Sequence, residues 1–235
     1  ANTLRVKVTD AFGNALAGQT VSVSADNGAA VAATVITGPD GAAIITVTSQ
    51  TAGASTVTAS ISNSTLNQNV TFIADVSTAK IADLVVIKDG SVADGAMANT
   101  LRVKVTDAFG NALAGQTVSV SADNGAAVAA TVITGPDGAA IITVTSQTAG
   151  ASTVTASISN STLNQNVTFI ADVSTAKIAD LVVIKDGSVA DGAMANTLRV
   201  KVTDAFGNAL AGQTVSVSAD NGAAVAATVI TGPDG

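Results

Sequence analysis

Histidine, cysteine, tryptophan, tyrosine and glutamate are all missing from this 235-residue chain, and aromatic residues make up only 2% of it. Without His or Cys there is no imidazole base, no thiolate nucleophile and no Cys/His zinc site. The expectation is therefore no enzyme, no catalytic residue, no cofactor and no metal centre. Lacking cysteine, the chain has no disulfides, and packing alone must stabilise it. Positive charge is also scarce: 10 Lys+Arg stand against 17 acidic residues, a net charge of −7. Binding to phosphate backbones or anionic lipid depends largely on Lys/Arg neutralisation, so nucleic acid is excluded as a partner. Long apolar runs are absent too. Leu84-Val85-Val86-Ile87 is among the longest aliphatic stretches, far below the roughly 18 to 20 residues that span a bilayer. The opening Ala-Asn-Thr-Leu-Arg-Val is no signal peptide, so an export signal is expected outside this sequence.

What the chain does have is exact self-similarity. The segment ANTLRVKVTDAFGNALAGQTVSVSADNG starts at Ala1, Ala98 and Ala195, a period of 97 residues, and every comparable position is identical. Solenoid repeats run to about 20–47 residues, whereas about 100 is an ordinary domain. The reading is beads on a string, each bead the partner of its identical neighbours. Val76-Ser77-Thr78-Ala79-Lys80 is small, polar and without period, so the boundary is placed there. Residues 77–173 then form one complete domain, 1–76 a domain lacking its first strand, and 174–235 the N-terminal part of a third.

Within the complete copy, aliphatic residues alternate with polar ones in Leu101-Arg102-Val103-Lys104-Val105, the signature of a strand with one buried face. Further strands are expected at Leu84 to Ile87, Val118 to Val120, Val132-Ile133, Ile142 to Val144, Val154 to Ile158 and Val167 to Phe169, seven in all. Turns are read at 107–111, 122–125, 135–138 and 148–150, each rich in Gly, Asn or Pro. Ala126 to Ala130 is alanine-rich but too short for an independent helix, and is read as a loop or edge strand. Many short strands at regular spacing predict an all-β immunoglobulin-like sandwich. Its core is expected to hold Val103, Val105, Val120, Ile142, Val144, Val154 and Phe169.

These motifs resemble a known family. VTDAFGNALAGQTVSVSA, TGPDGAAIITVTS and AGASTVTASI are similar to the bacterial immunoglobulin-like repeat of the invasin/intimin adhesins. The pattern V-x-D-x-x-G-N-x-x-x-G-x-x-V falls on Val105, Asp107, Gly110, Asn111, Gly115 and Val118. A turn-strand motif falls on Thr134 and Gly138, and A-G-x-x-x-V-x-A on Ala149, Gly150, Val154 and Ala156. The resemblance implies a stalk that projects a binding tip from an outer-membrane anchor, with anchor, tip and any host-receptor contact outside this sequence, and a location on the cell surface.

Each candidate site also has a structural reading. Gly110-Asn111 is read as a turn, with Phe109 folding back to plug one end of its sandwich, in preference to a ligand loop. Gly135-Pro136-Asp137-Gly138 is a tight turn, since no Lys or helix follows it as a phosphate loop requires. Asp94, Asp107, Asp172 and Asp180 are weighed as a junction calcium site, but they are dispersed singly, whereas Ca²⁺ takes about six to eight oxygens. Lys104 and Lys185 are weighed for Lys-Asn crosslinks and read as solvated. Thr143, Thr145, Thr153 and Thr155 are read as ordinary strand residues and not as an ice- or ligand-binding array. Asn160-Ser161-Thr162 and Asn166-Val167-Thr168 match the short N-glycosylation pattern. No ligand-binding residue is assigned. The expected function is a structural spacer of a surface adhesin, and the rival reading is a multivalent module in which every repeat contacts a host glycan or protein. With no Tyr or Trp and one Arg per repeat, the chain lacks the usual interface anchors.

Overall fold

The computed structural model describes residues 1–62 and 64–235. It is all-β, with no α-helix among the described residues. By contacts the chain divides into two compact units. One comprises Ala1–Lys80, Val105–Ala114 and Pro136–Gly138, and the other Ile81–Lys104, Gly115–Gly135 and Ala139–Gly235.

In the first unit, Asn2–Lys7, Ala42–Thr48 and Ala30–Val31 form one sheet, and Thr34–Ile36, Thr20–Ala25, Gly53–Ile61 and Ser64–Phe72 form another. Alternation along each strand sends its aliphatic residues inward. Val21, Val23 and Val57 from one sheet meet Ile45 and Val47 from the other in a shared core. This is sheet-on-sheet packing, the sandwich that the alternation predicted.

The complete copy repeats this layout and extends it. One sheet runs Ala127–Val128, Ala139–Thr145, Asn99–Thr106, Lys80–Lys88; the other runs Thr131–Ile133, Thr117–Ala122, Gly150–Ile158, Ser161–Ile170, Ser91–Val92. All seven expected core residues are buried, and Leu101, Val118 and Val167 join them. Two short strands exceed the expected seven. One, Ala127–Val128, lies in the segment read as a loop or edge strand and is an edge strand, paired with Val144 and Thr145. Ser91–Val92 pairs parallel to Phe169 and Ile170, carrying the chain from the first sheet to the second. The last strand is also longer than its apolar stretch suggested. Apart from Leu163, Ser161 to Asn166 is polar, and it is mostly exposed, yet the hairpin register with Gly150–Ile158 keeps it extended as far as Ser161 opposite Ile158.

The remaining copy contributes two pairs, Lys177–Lys185 with Thr197–Thr203 and Thr214–Ser216 with Thr228–Ile230. A small core of Val202, Leu210 and Val215 holds its motif end.

Between copies the chain makes a single 3-10 turn, at Val76–Thr78 and again at Val173–Thr175. The Asp75 and Asp172 carboxylates each accept a backbone N–H, from Ser77 and Ser174, at 3.0 Å. This is ordinary capping of orphan donors.

Candidate functional site: the Asp-x-x-Gly-Asn turn

The segment Asp107-Ala108-Phe109-Gly110-Asn111 closes on its own aspartate. Asp107 Oδ1 accepts the backbone N–H groups of Phe109 and Asn111, both at 2.9 Å. Its other oxygen accepts Asn111 Nδ2 at 2.8 Å. Gly110 has φ +90°, a conformation that L side chains rarely adopt, so the turn reading of this position holds.

The same two side chains also reach the preceding copy. Asn111 Nδ2 donates to the Gln50 carbonyl and Asn111 Oδ1 accepts from the Ala52 N–H, each at 2.8 Å. Asp107 Oδ2 accepts the Asp75 N–H at 3.1 Å, and within the 77–173 copy itself the Ala108 main-chain N–H donates to Thr78 Oγ1 at 3.1 Å. All of these residues lie within the first unit.

Within the second unit the set recurs 97 residues on. Asn208 bonds the Gln147 carbonyl at 2.9 Å and the Ala149 N–H at 2.8 Å, while Asp204 and Ala205 bond Asp172 and Thr175, each at 3.1 Å. In the first copy, for which this sequence includes no preceding residues to contact, Asp10 is half-buried and Asn14 exposed. Asp107 and Asp204 are buried, at 1% and 0% exposure.

Burial penalises the Asp107 carboxylate, but the Asn111 amide and the N–H groups of Asp75, Asn111 and Phe109 outweigh that and hold its pKa below the ordinary carboxylate value. Asp204 is held down in the same way, by Asn208, Asp172 and Phe206 against its burial.

Phe109 is 61% exposed and does not plug its own sandwich. It lines a cavity of about 100 Å³ with Phe72, Ile73, Asp107 and Asn111. The Asp107 hydrogen bonds set the direction of the turn, and the ring follows it outward. Exposure of this phenylalanine is 91% at Phe12, where this sequence includes no preceding copy, 61% at Phe109 and 47% at Phe206.

The other weighed residues are dispersed. Asp94 caps the N–H groups of Ala96 and Met97, and Asp180 pairs with Arg199 at 3.3 Å. Among the described residues no group of three or more His, Cys, Asp or Glu side chains could hold a metal ion. Thr143 and Thr145 lie on one sheet and Thr153 and Thr155 on the other, so they form no single array. Lys104 is half-buried and Lys185 exposed, Asn160 lies in a hairpin turn and Asn166 on an exposed strand position. Gly135 to Gly138 form the expected tight turn, the Gly135 N–H donating to the Ala139 carbonyl at 2.8 Å.

Sequence reasoning placed Asp107 and Asn111 in a turn and missed their reach. Their partners lie 32 to 61 positions earlier in the chain, so no local pattern records them. The available hint was redundancy: glycine alone suffices for the backbone, whereas this turn also carries two polar side chains.

Comparison with known proteins matches residues 1–73, 81–170 and 178–235 to the bacterial Ig-like domain (group 1). The chain belongs to that family. It is 34% identical over 232 residues to the inverse autotransporter adhesin YeeJ of Escherichia coli strain K12, covering 92% of this chain and 10% of that protein. Thus it spans about a tenth of that relative's length. InvD of Yersinia pseudotuberculosis shares the fold with a TM-score of 0.59 at 18% identity, over 89% of this chain and 67% of that one. The D0-D1 domain of intimin is 29% identical over 71% of this chain and 88% of its own, with a TM-score of 0.36. The matched family is a bacterial Ig-like domain and the relative YeeJ is an adhesin; neither is an enzyme. No helix of the described residues is long and apolar enough to cross a membrane.

Proposed function

We propose that the chain is a spacer in a bacterial cell-surface adhesin, with Ig-like domains at 1–76, 77–173 and 174–235. An outer-membrane anchor and a binding tip, the latter meeting the host receptor, belong to parts of the protein outside this sequence. The supporting observation is that identical copies are joined through one repeated set of hydrogen bonds, at Asp107 and Asn111 and again at Asp204 and Asn208. Such a joint suits a part that sets distance. The adhesin relative supports the cell-surface setting.

The test separates spacing from binding. Purified chains of one to several copies are presented to host cells and to a glycan array, and the copy number is varied in the whole adhesin with its tip retained. A spacer predicts no binding by the copies alone and adhesion that depends on reach. Binding by the copies that strengthens with their number would instead establish a multivalent module.

A further inference from the structure

We propose that the Asp-x-x-Gly-Asn turn is a preformed docking site for the main chain of a preceding repeat, with Asp107 and Asn111 the positioning residues that fix one repeat's orientation on the one before it. The inference holds for a spacer and for a binding array alike, so its failure and the failure of the spacer reading are separable.

The turn is preformed, and the chain supplies its own comparison. In the first copy's turn, which bonds to no other copy within this sequence, Asp10 Oδ1 accepts the Phe12 and Asn14 N–H groups and Asp10 Oδ2 accepts Asn14 Nδ2, all at 2.9 Å. The docked turns hold the same three bonds at 2.8 to 2.9 Å. Docking therefore leaves the local geometry unchanged and orders little that was not ordered before, which keeps the entropy cost of the contact low.

Chemistry at the asparagine points the same way. A carboxylate only accepts, so the Asn111 edge facing Asp107 must be the Nδ2 edge. One Nδ2 hydrogen is spent there, leaving the other hydrogen and Oδ1 for an outside partner. That donor and acceptor pair meets the Gln50 carbonyl and the Ala52 N–H, two residues apart on one loop. The side-chain amide thus stands in for a peptide group at a strand edge. Meanwhile the Asp107 carboxylate gains a fourth N–H donor, from Asp75. Every bond to the segments preceding the 3-10 turn ends on main chain, so the site reads backbone shape and not side-chain identity. A docking site of this kind accepts any predecessor with the same loop geometry.

The chain has no native cysteine, so spin labels at Ser22→Cys and Ser119→Cys report the arrangement of the first two copies in the full chain. With Asn111 intact, the measured distance distribution is expected to be narrow. Asn111→Ala should at least double its width, as should the milder Asn111→Ser. Asn14→Ala places the same lesion in the first copy's turn, which bonds to no other copy in a chain of this sequence, and should leave the width unchanged, and its circular dichroism shows whether the turn survives the change. Gln50→Ala should also leave the width unchanged, because its carbonyl and not its side chain is read. An unchanged width in both Asn111 variants, or equal broadening by Asn14→Ala, would overturn the docking role. Broadening by Gln50→Ala would overturn main-chain reading.

Discussion

Phe109 and Phe169 carry the same side chain to opposite fates, 61% against 1% exposed. Phe169 lies on a strand whose neighbours alternate, so its direction was legible from period two. Phe109 lies in a turn, where direction depends on hydrogen bonds that no periodicity encodes. Replacing Phe169 with Ala removes a large side chain from a core built mainly of Val, Ile and Leu. We expect a loss of about 3–5 kcal/mol in the unfolding of that copy, measured by denaturant melts of the full chain. An unchanged midpoint would mean that the strand register is wrong by one residue. Gly138 gives a second residue-scale outcome. Its φ is +74°, and an added Cβ would sit 2.6 Å from the Val105 carbonyl oxygen and 3.0 Å from the Leu113 nitrogen. Gly115, at φ +70°, has open space around it. Gly138→Ala should therefore destabilise by more than Gly115→Ala, whose cost is the roughly 1–3 kcal/mol of a disfavoured backbone conformation. Thermal melts of the two variants give the comparison, and equal losses would contradict the packing argument.

At the scale of elements, strands with an alternating aliphatic face were readable and strands defined by pairing were not. Leu101, Val103 and Val105 announce Asn99–Thr106 by themselves, whereas Ser161 to Asn166 carries a single aliphatic residue, Leu163, among polar ones and shows no period of its own; its pairing with Gly150–Ile158 keeps it extended. Ser91–Val92 is too short to show a period and is fixed by main-chain bonds, the Ala93 N–H reaching the Ile170 carbonyl at 2.8 Å. The docking turn adds a pH dependence. Asp107 and Asp204 are held below the ordinary value of 3.8, so folding and docking favour their ionised forms. Their contribution is complete above that ordinary value and is lost as pH falls through the lower, folded one. Thermal stability should accordingly be flat from about pH 7 to pH 5 and decline below about pH 4. Asp107→Asn should lessen the decline; an undiminished acid slope in that variant would show that other carboxylates, such as Asp40 and Asp94, set it.

For the whole molecule, the period of 97 residues was written in the sequence, and with it the identity of every copy. How one copy meets the next was not, since Asn111 and its partners belong to different repeats. Repeats that set distance, as proposed, need fixed joints between them. A strand of nine residues spans about 30 Å, so each repeat with its short linker should add roughly 35 to 45 Å. Small-angle scattering on chains with increasing numbers of repeats tests this most directly. Fixed joints predict a maximum dimension that rises in equal steps with each added copy, and a rise with the square root of copy number would contradict them.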